Sequence, residues 1–227
     1  SSDASLYRVV PTVVARPRHV DEIDAVLDVC RRTGVPLTTR GAGTSIAGNA
    51  VGTGVVMDTS RHLQRIVSVD PDARTAVVEP GVVQAVLQRA AAPHGLRFGP
   101  DPSTSTRCTV GGMIGNNACG TRALGYGRTS DNIAALDVLT GTGERLHLVS
   151  GATPPDSATV DALRGVVGRG LATVRTEFGR FVRQVSGYSL EHLLPERGTD
   201  VARMLVGSEG TLAITRLATV RLVAEPE

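Results

Sequence analysis

The sequence predicts a fold that combines α-helices with β-strands around two glycine-rich loops. Three observations indicate it: two segments with helical apolar spacing, several strand pairs of hairpin type, and a glycine-rich stretch between residues 98 and 132. The chain has 227 residues, 41% of them hydrophobic, which suffices for one large or two small domains with a buried core.

The first helix is predicted over residues 19–36, where the sequence reads HVDEIDAVLDVCRRTGVP. Its apolar residues fall on one face, acidic residues lie in its first turn, and Gly34 and Pro36 follow as stop signals. No Ser, Thr or Asp caps its start clearly, so that boundary is weakly defined. Cys30 lies on the apolar face and is expected to be a buried core thiol.

Strands are predicted on both sides of the first glycine loop, over residues 35–40 and 54–60. A hairpin is predicted over residues 63–82 around the Pro71–Asp72 turn, and a second amphipathic helix over residues 82–95. The first glycine loop therefore connects two strands.

Residues 98–132 contain seven glycines and show little periodicity. A loop of that length inside a compact domain is usually functional or a misassigned element. Beyond it, the sequence predicts a hairpin over residues 133–149 and a helix, weakened by its glycines, over residues 160–178. Two strands around a second glycine turn are predicted over residues 201–223.

The composition excludes several functional classes. All 24 basic residues are arginine, so a P-loop lysine, a Schiff-base lysine and a lysine general base are excluded. Aromatic residues make up 3% of the chain and the net charge is +2, which argues against nucleic-acid binding. No apolar run reaches the ~18 residues of a transmembrane segment, so we expect a cytoplasmic protein, with peripheral membrane association left open.

Metal and disulfide sites are not expected. The three cysteines are an odd number without CxxC spacing, and the five histidines form no HxH or HExxH pair.

The first glycine loop, RGAGTSIAGN over residues 40–49, does not fit the common phosphate-binding motifs. Its glycines are spaced GxGxxxxG and a strand follows, whereas the dinucleotide fingerprint GxGxxG precedes a helix. What remains is a diphosphate held by backbone amides, with Thr44 and Ser45 adding hydroxyl donors and Arg40 anchoring the loop or adding charge. The alternative is a glycine-rich connection that only turns the chain.

The second loop, PDPSTSTRCTVGGMIGNNACG over residues 100–120, favours the ligand-binding alternative. Its small residues would let an extended ligand lie against the backbone, while its Ser, Thr and Asn side chains supply donors and acceptors. The later VGSEG, residues 206–210, is not a GxSxG nucleophile motif, so no serine nucleophile is predicted there.

Five segments in this order resemble the FAD-binding domain of the vanillyl-alcohol oxidase/PCMH flavoprotein superfamily, in its glycolate oxidase/D-lactate dehydrogenase-like branch of FAD-linked oxidases. They are PLTTRGAGTS, VEPGV, PDPSTSTRCTVGGMIGNNACG, GYGRTSDNI and LVGSEGTLAI, and they span nearly the whole chain. The resemblance implies an α+β fold: a PCMH-type FAD-binding domain of two α/β subdomains with FAD between them. The N-terminal subdomain would comprise residues 1–58 and the second residues 59–227.

The resemblance also implies which residues contact FAD. The pyrophosphate would be held by Arg40, Gly41, Ala42, Gly43, Thr44, Ser45 and Gly48. The cofactor channel, ribityl chain and flavin would be lined by Pro80, Gly81, Pro100, Asp101, Ser103, Thr109, Val110, Gly111, Gly112, Gly115, Asn116, Asn117 and Gly120. The adenosine end would be closed by Glu209, Gly210 and Ile214.

Noncovalent FAD is expected. Relatives with histidyl-linked FAD carry histidine where Thr44 stands, so that bond cannot form here. Relatives with a cysteinyl link carry the cysteine shortly before the Thr-Val-Gly run, and Cys108, which directly precedes Thr109, is one residue out of register with that pattern. Cys108 is therefore expected to be structural, and Cys119, near the expected flavin, to be a small buried residue.

By resemblance, the protein is a flavin-dependent oxidoreductase that oxidises a small 2-hydroxy acid and passes a hydride to flavin N5. The chain begins at Ser1 and stops directly after a strand-like run, so we expect it to be part of a longer protein. In the family, the catalytic residues and any metal belong to a substrate or cap domain, so we predict neither catalytic nor metal-binding residues here. The use of a downstream electron acceptor stays open.

Two other functions stay open for this scaffold. One is a different enzyme activity, that of an FAD-linked alcohol oxidase or an ether-lipid synthase-like enzyme. The other is a non-catalytic FAD-binding module, against which the intact glycines, prolines and Glu209 argue.

Overall fold

The computed structural model describes residues 2–181 and 187–225, and within them a parallel sheet of three strands lies near the N-terminus. The strands are β1 (Val13–Ala15), β2 (Leu37–Arg40) and β3 (Val55–Asp58), in the order β1-β3-β2. Helix α1 (Asp21–Thr33) connects β1 to β2, and the first glycine loop connects β2 to β3.

Six further strands form an antiparallel sheet within the same described residues. Its strand order is β4-β5-β9-β7-β8, and β6 pairs with β9 beside this path. The strands are β4 (Ile66–Asp70), β5 (Thr75–Val78), β6 (Leu96–Phe98), β7 (Ile133–Thr140), β8 (Arg145–Val149) and β9 (Ala213–Ala224). The α+β class is confirmed, while the division into subdomains at residue 58 stays a prediction.

Several predicted elements are confirmed. Helix α1 begins without a side-chain cap and ends at Gly34, whose left-handed φ of 69° closes it. Cys30 is buried in the core. The hairpins β4–β5 and β7–β8 and helix α2 (Gln84–Ala91) lie where the sequence places them.

The predicted strand at the start of residues 201–223 is wrong, because Val201–Leu205 form helix α7. Asp200 caps this helix, its Oδ1 accepting from the backbone N–H of Arg203 at 3.0 Å. Four of the five helix residues are buried, so the apolar run has no polar face to reveal a helical period. A short continuous apolar run of this kind does not distinguish a buried strand from a buried helix.

The stretch of residues 98–132 is not structureless. It contains α3 (Val110–Asn116), α4 (Ala123–Tyr126) and a 3₁₀ turn over Thr129–Asn132. The glycines of α3 obscure its helical period in the sequence, but its apolar residues are buried and anchor it to the core. The helix predicted over residues 160–178 is divided at Gly170 into α5 (Ala158–Arg169) and α6 (Leu171–Glu177).

A small hydrophobic cluster joins the two sheets. Ile23 and Leu27 of α1 pack in it with Leu139 of β7 and Ile214 of β9. At its edge, Arg216 donates to the carboxylate of Asp21 in α1 at 2.7 Å. These contacts hold the N-terminal sheet and α1 against the antiparallel sheet.

Replacing Asp200, the cap of α7, tests how much the cap contributes to the stability of the fold. Asp200 accepts from Ser150 Oγ and Gly151 N at 2.9 Å as well as from Arg203 N. Asp200→Ala would remove the buried acceptor that these three donors share, so we expect the free energy of unfolding to fall by about 2–4 kcal/mol. Urea denaturation measures the free energy of unfolding, and Asp156→Ala, at an exposed residue, is the control. Equal denaturation midpoints for the two variants would contradict the expectation.

Candidate functional site

A cavity of about 820 Å³ opens between the two glycine-rich loops, a volume typical of small-molecule and cofactor sites. Its wall combines the loop after β2, helix α3 with its flanking segments, the turn before β9, and parts of β7 and β9. All but six of the residues predicted to contact a ligand line it: Arg40, Gly41, Ala42, Gly43, Thr44, Ser45, Pro80, Ser103, Thr109, Gly111, Gly112, Gly115, Asn116, Gly120, Glu209, Gly210 and Ile214.

The remaining six do not line the cavity: Gly48, Gly81, Pro100, Asp101, Val110 and Asn117. Val110 is completely buried in the main core. The backbone N–H of Gly81 donates to the carbonyl of Leu63 at 2.8 Å. The Pro100 carbonyl accepts from Gln84 Nε2 at 3.2 Å.

Two of these six residues make polar contacts next to the cavity. Asp101 lies 3.5 Å from the guanidinium of Arg97 and 3.7 Å from that of Arg122. Asn117 ends α3 in the left-handed conformation, and its Oδ1 accepts from the backbone N–H of Ser130 at 3.0 Å. Both side chains therefore fix the second loop.

The first glycine loop presents a run of unpaired backbone donors. Within residues 2–181 and 187–225, none of the backbone N–H groups from residues 41 to 46 has an acceptor. All six residues line the cavity. Successive free N–H groups in a glycine-rich turn form a concave site for an anion.

Contacts on both sides hold this loop in place. Arg40 Nη1 donates to the carbonyl of Ala50 at 3.1 Å, so this arginine anchors the loop across its base. A Cβ at Gly41 would overlap Thr109 Oγ1, and Gly43 has a φ of 69° directly against the Arg40 guanidinium. Glycine is required at both positions by close packing and, at Gly43, by the backbone conformation.

Helix α3 leaves space in the cavity, but the first backbone N–H groups of the helix are not free to bind a ligand. Its first N–H groups are already bonded to the carbonyls of Val82 and Pro80, each at 2.8 Å, and to Thr109 Oγ1 at 3.2 Å. Its exposed Gly112 and half-buried Gly115 line the cavity without side chains. The unpaired backbone donors therefore lie in the first loop, and α3 supplies a part of the wall without side chains.

The VGSEG turn docks on the C-terminal end of α3. The N–H of Gly207 donates to Ile114 O at 2.9 Å and that of Glu209 donates to Gly115 O at 2.8 Å. Glu209 has a left-handed φ of 53°, and its Oε1 accepts from Asn116 Nδ2 at 2.9 Å. The motif is therefore a turn that closes one end of the cavity.

Few ionisable side chains line the cavity. Within the described residues they are Arg40, Cys108, Cys119 and Glu209. Cys108 is buried and Cys119 half-buried, and burial raises the pKa of the Cys108 thiol.

No histidine of the described chain lines this cavity. His94 is exposed at the end of α2, and His192 lies in a second cavity of about 410 Å³. Burial and the nearby Arg203 lower the pKa of His192. Within residues 2–181 and 187–225, no three His, Cys, Asp or Glu side chains come together as a metal site would require.

Some residues of the cavity wall were not predicted. Leu136 and Val138 of β7 and Ala213 and Thr215 of β9 contribute from the antiparallel sheet. In the sequence these residues have the pattern of ordinary core strands, so only the packing of the two sheets shows their position at the site.

In the part of the chain that the structure describes, no helix has both the length and the apolar composition needed to cross a membrane.

Comparison with known proteins adds an independent line of support. The profile of a family described as FAD binding domain matches residues 11–149. The chain is 34% identical over 245 residues to D-2-hydroxyglutarate dehydrogenase of Pseudomonas putida, a match that covers 100% of this chain and 24% of that protein. It is 33% identical over 224 residues to glycolate oxidase subunit GlcD of Escherichia coli, covering 98% of this chain and 36% of that subunit.

A solved structure of an alkyldihydroxyacetonephosphate synthase superposes on the chain with a TM-score of 0.66. The superposition covers 94% of this chain and 32% of that one, at 20% identity, and so shows a shared fold alone. The chain thus spans between 24% and 36% of the two relatives and the solved structure described here.

Proposed function

The chain belongs to the FAD binding domain family, and on that premise we propose that its cavity binds FAD with the diphosphate on the first glycine loop. The run of free backbone N–H groups over residues 41–46 carries this proposal. Neutral backbone donors beside the Arg40 guanidinium suit a dianionic diphosphate, because each hydrogen bond to a charged oxygen is stronger than one to a neutral acceptor.

The rest of the wall suits the uncharged parts of such a ligand. Gly112 and Gly115 of α3 leave room for an extended chain or a flat ring against the backbone. Leu136, Val138 and Ile214 add apolar surface from the antiparallel sheet. We place the ribityl chain and flavin along α3, and the adenosine beside Glu209.

We further propose that the protein is an FAD-dependent oxidoreductase that acts on a small 2-hydroxy acid. The names of the two relatives, a D-2-hydroxyglutarate dehydrogenase and a glycolate oxidase subunit, support this substrate class. Bound flavin supplies a hydride acceptor for the carbon that carries the hydroxyl group. The residues of this chain bind the cofactor, fix its orientation through the two loops, and enclose it between the sheets.

Cofactor selectivity tests the proposal directly. The purified chain, reconstituted with each cofactor, is expected to bind FAD in preference to FMN, because the cavity offers both a diphosphate loop and a further wall at Glu209. Thr44 stands where relatives with histidyl-linked FAD carry histidine, so that covalent bond cannot form. Acid precipitation should therefore release intact FAD into the supernatant. Isothermal titration measures the affinity for FAD and for FMN, and absorbance of the supernatant measures the FAD that acid releases. Exclusive FMN binding, or flavin that stays with the pellet, would contradict the proposal.

A further inference from the structure

We propose that the N-terminal segment, residues 2–8, is a strap that positions the first glycine loop for its ligand. The segment closes on itself through an antiparallel bridge between Ser2 and Arg8. This inference rests on the proposed function only in its choice of FAD as the ligand.

The strap contacts the loop at three places. The N–H of Ala4 donates to the carbonyl of Gly43 at 2.9 Å. Further along the loop, the N–H of Ala50 donates to Asp3 Oδ2 at 3.4 Å. Between these two points, the ring of Tyr7 packs so closely on Gly48 that a Cβ there would lie 2.6 Å from a ring carbon.

These contacts explain a predicted ligand residue that does not line the cavity. Gly48 has a φ of 83° and provides the surface on which the Tyr7 ring lies. A side chain at this position would displace the ring as well as strain the backbone. Gly48 therefore acts on the ligand through the strap.

Asp3 organises the strap itself. Its carboxylate accepts from the backbone N–H of Ser5 at 2.9 Å and from the Ser5 hydroxyl. Burial acts to raise the pKa of Asp3, but the hydrogen bonds from Ser5 and Ala50 outweigh it and hold that pKa below its ordinary value. The carboxylate is thus charged at neutral pH and remains an acceptor for the loop.

The loop depends on the strap because it has few other tethers. Among residues 2–181 and 187–225, every other hydrogen bond of residues 43–50 joins them to one another or to Arg40 and Val51. Tyr7 is 61% exposed and Leu6 is fully exposed, so the strap adds little to the core. Loss of the strap contacts should therefore loosen the loop while leaving the fold intact. A loosened loop must be ordered when ligand binds, which weakens binding.

The test compares Tyr7→Ala with Tyr7→Phe and Leu6→Ala. Phenylalanine keeps the ring that covers Gly48, and the Tyr7 hydroxyl has no partner within the described residues. Leu6→Ala changes an exposed neighbour in the same strap. Asp3→Ala, which removes the acceptor for Ala50, is a second variant that does not depend on the ring.

Two measurements are needed: ¹⁵N order parameters of residues 41–50 without ligand, and FAD titrations. In Tyr7→Ala and Asp3→Ala we expect order parameters to fall from about 0.85 to below about 0.6, and the FAD dissociation constant to rise roughly tenfold. Thermal melts should be unchanged, and Tyr7→Phe and Leu6→Ala should behave as the unmodified chain.

The two proposals can fail separately. Unchanged order parameters in both Tyr7→Ala and Asp3→Ala would overturn the strap, whatever happens to FAD binding. A looser loop with unchanged FAD affinity would overturn its role in positioning the loop for the ligand. An unmodified chain that binds no FAD would overturn the proposed function, while the order parameters would still decide whether the strap holds the loop.

Discussion

Gly112→Val is expected to weaken FAD binding by roughly 10- to 150-fold and to leave the unfolding transition of the ligand-free protein almost unchanged. Gly112 lies in α3, is exposed, and lines the cavity. A Cβ there would meet only Thr109 Oγ1, at 3.2 Å, a tight contact that a shift of a few tenths of an ångström in this hydroxyl relieves, so the protein itself can accept a side chain. Valine would instead occupy the space that we assign to the flavin and ribityl chain and would displace the diphosphate from the first loop. Each hydrogen bond to a charged oxygen lost there costs on the order of 1.5–3 kcal/mol.

The matched control is Gly168→Val. Gly168 also lies within a helix, α5, but a Cβ at this position would have no atom within 4 Å, and the residue is absent from the cavity wall. The two substitutions have the same intrinsic effect on a helix, where valine and glycine differ by only a few tenths of a kcal/mol. FAD titrations and thermal melts of the ligand-free proteins separate binding from folding. Equal FAD affinities for the two variants would show that the glycines of α3 are structural.

Gly43→Val, at the other glycine of interest, is expected to behave differently. Gly43 has a φ of 69° and its Cβ position overlaps the Arg40 guanidinium. A β-branched residue is strained there and would displace the arginine that anchors the loop. Loss of FAD binding in this variant would therefore reflect a disturbed loop, whereas loss in Gly112→Val reflects a blocked cavity.

Local signals in the sequence predict the elements whose ends are marked by turns. Gly34 closes α1 in the left-handed conformation, and Pro71 and Asp72 mark the β4–β5 hairpin. Such signals act over a few residues, so they can be recognised without the rest of the fold. Helix α7 has no helical spacing of apolar and polar residues, because four of its five residues are buried. Its burial against the core and the Asp200 cap decide that it is a helix.

Some residues of the candidate site could likewise be recognised from the sequence, and others could not. The loop over residues 40–49 is recognisable because glycine and hydroxyl residues repeat within a short span. The sequence does not distinguish Val110 and Asn117, which do not line the cavity, from the neighbouring residues that do. It does not show that α3 is a helix whose ends turn into the core and toward Ser130. Nor does it show that Gly48 lies under Tyr7, a contact between residues that are far apart along the chain.

The 227-residue chain loaded with FAD is expected to show no rapid flavin reduction by 2-hydroxy acids. Oxidation of such an acid to a 2-oxo acid transfers a hydride to the flavin and releases the hydroxyl proton to a base. That base must lie within hydrogen-bond reach of the hydroxyl, and it typically contributes ~10²–10⁴-fold to the rate.

Three of the four ionisable groups of the described cavity wall are poor candidates for this base. The Arg40 guanidinium has hydrogen-bond donors and no acceptor, and it anchors the loop. Burial raises the pKa of the Cys108 thiol and so disfavours its thiolate. Glu209 lies where we place the adenosine, away from the flavin, and the described histidines lie outside the cavity wall. We therefore expect substrate positioning and proton removal to come from residues other than these three.

Anaerobic bleaching of the flavin absorbance by D-lactate, glycolate and D-2-hydroxyglutarate measures the rate, and dithionite serves as the control that the bound flavin can be reduced. Rapid bleaching by a 2-hydroxy acid would place the base within this chain. Cys119→Ser would then test the fourth ionisable group of the described wall, because serine keeps the size of the side chain but its hydroxyl ionises far less readily than a thiol. Loss of bleaching in that variant with FAD affinity retained would assign the base to Cys119, whereas slow bleaching in the unmodified chain would confirm that the cavity binds the cofactor without supplying the base.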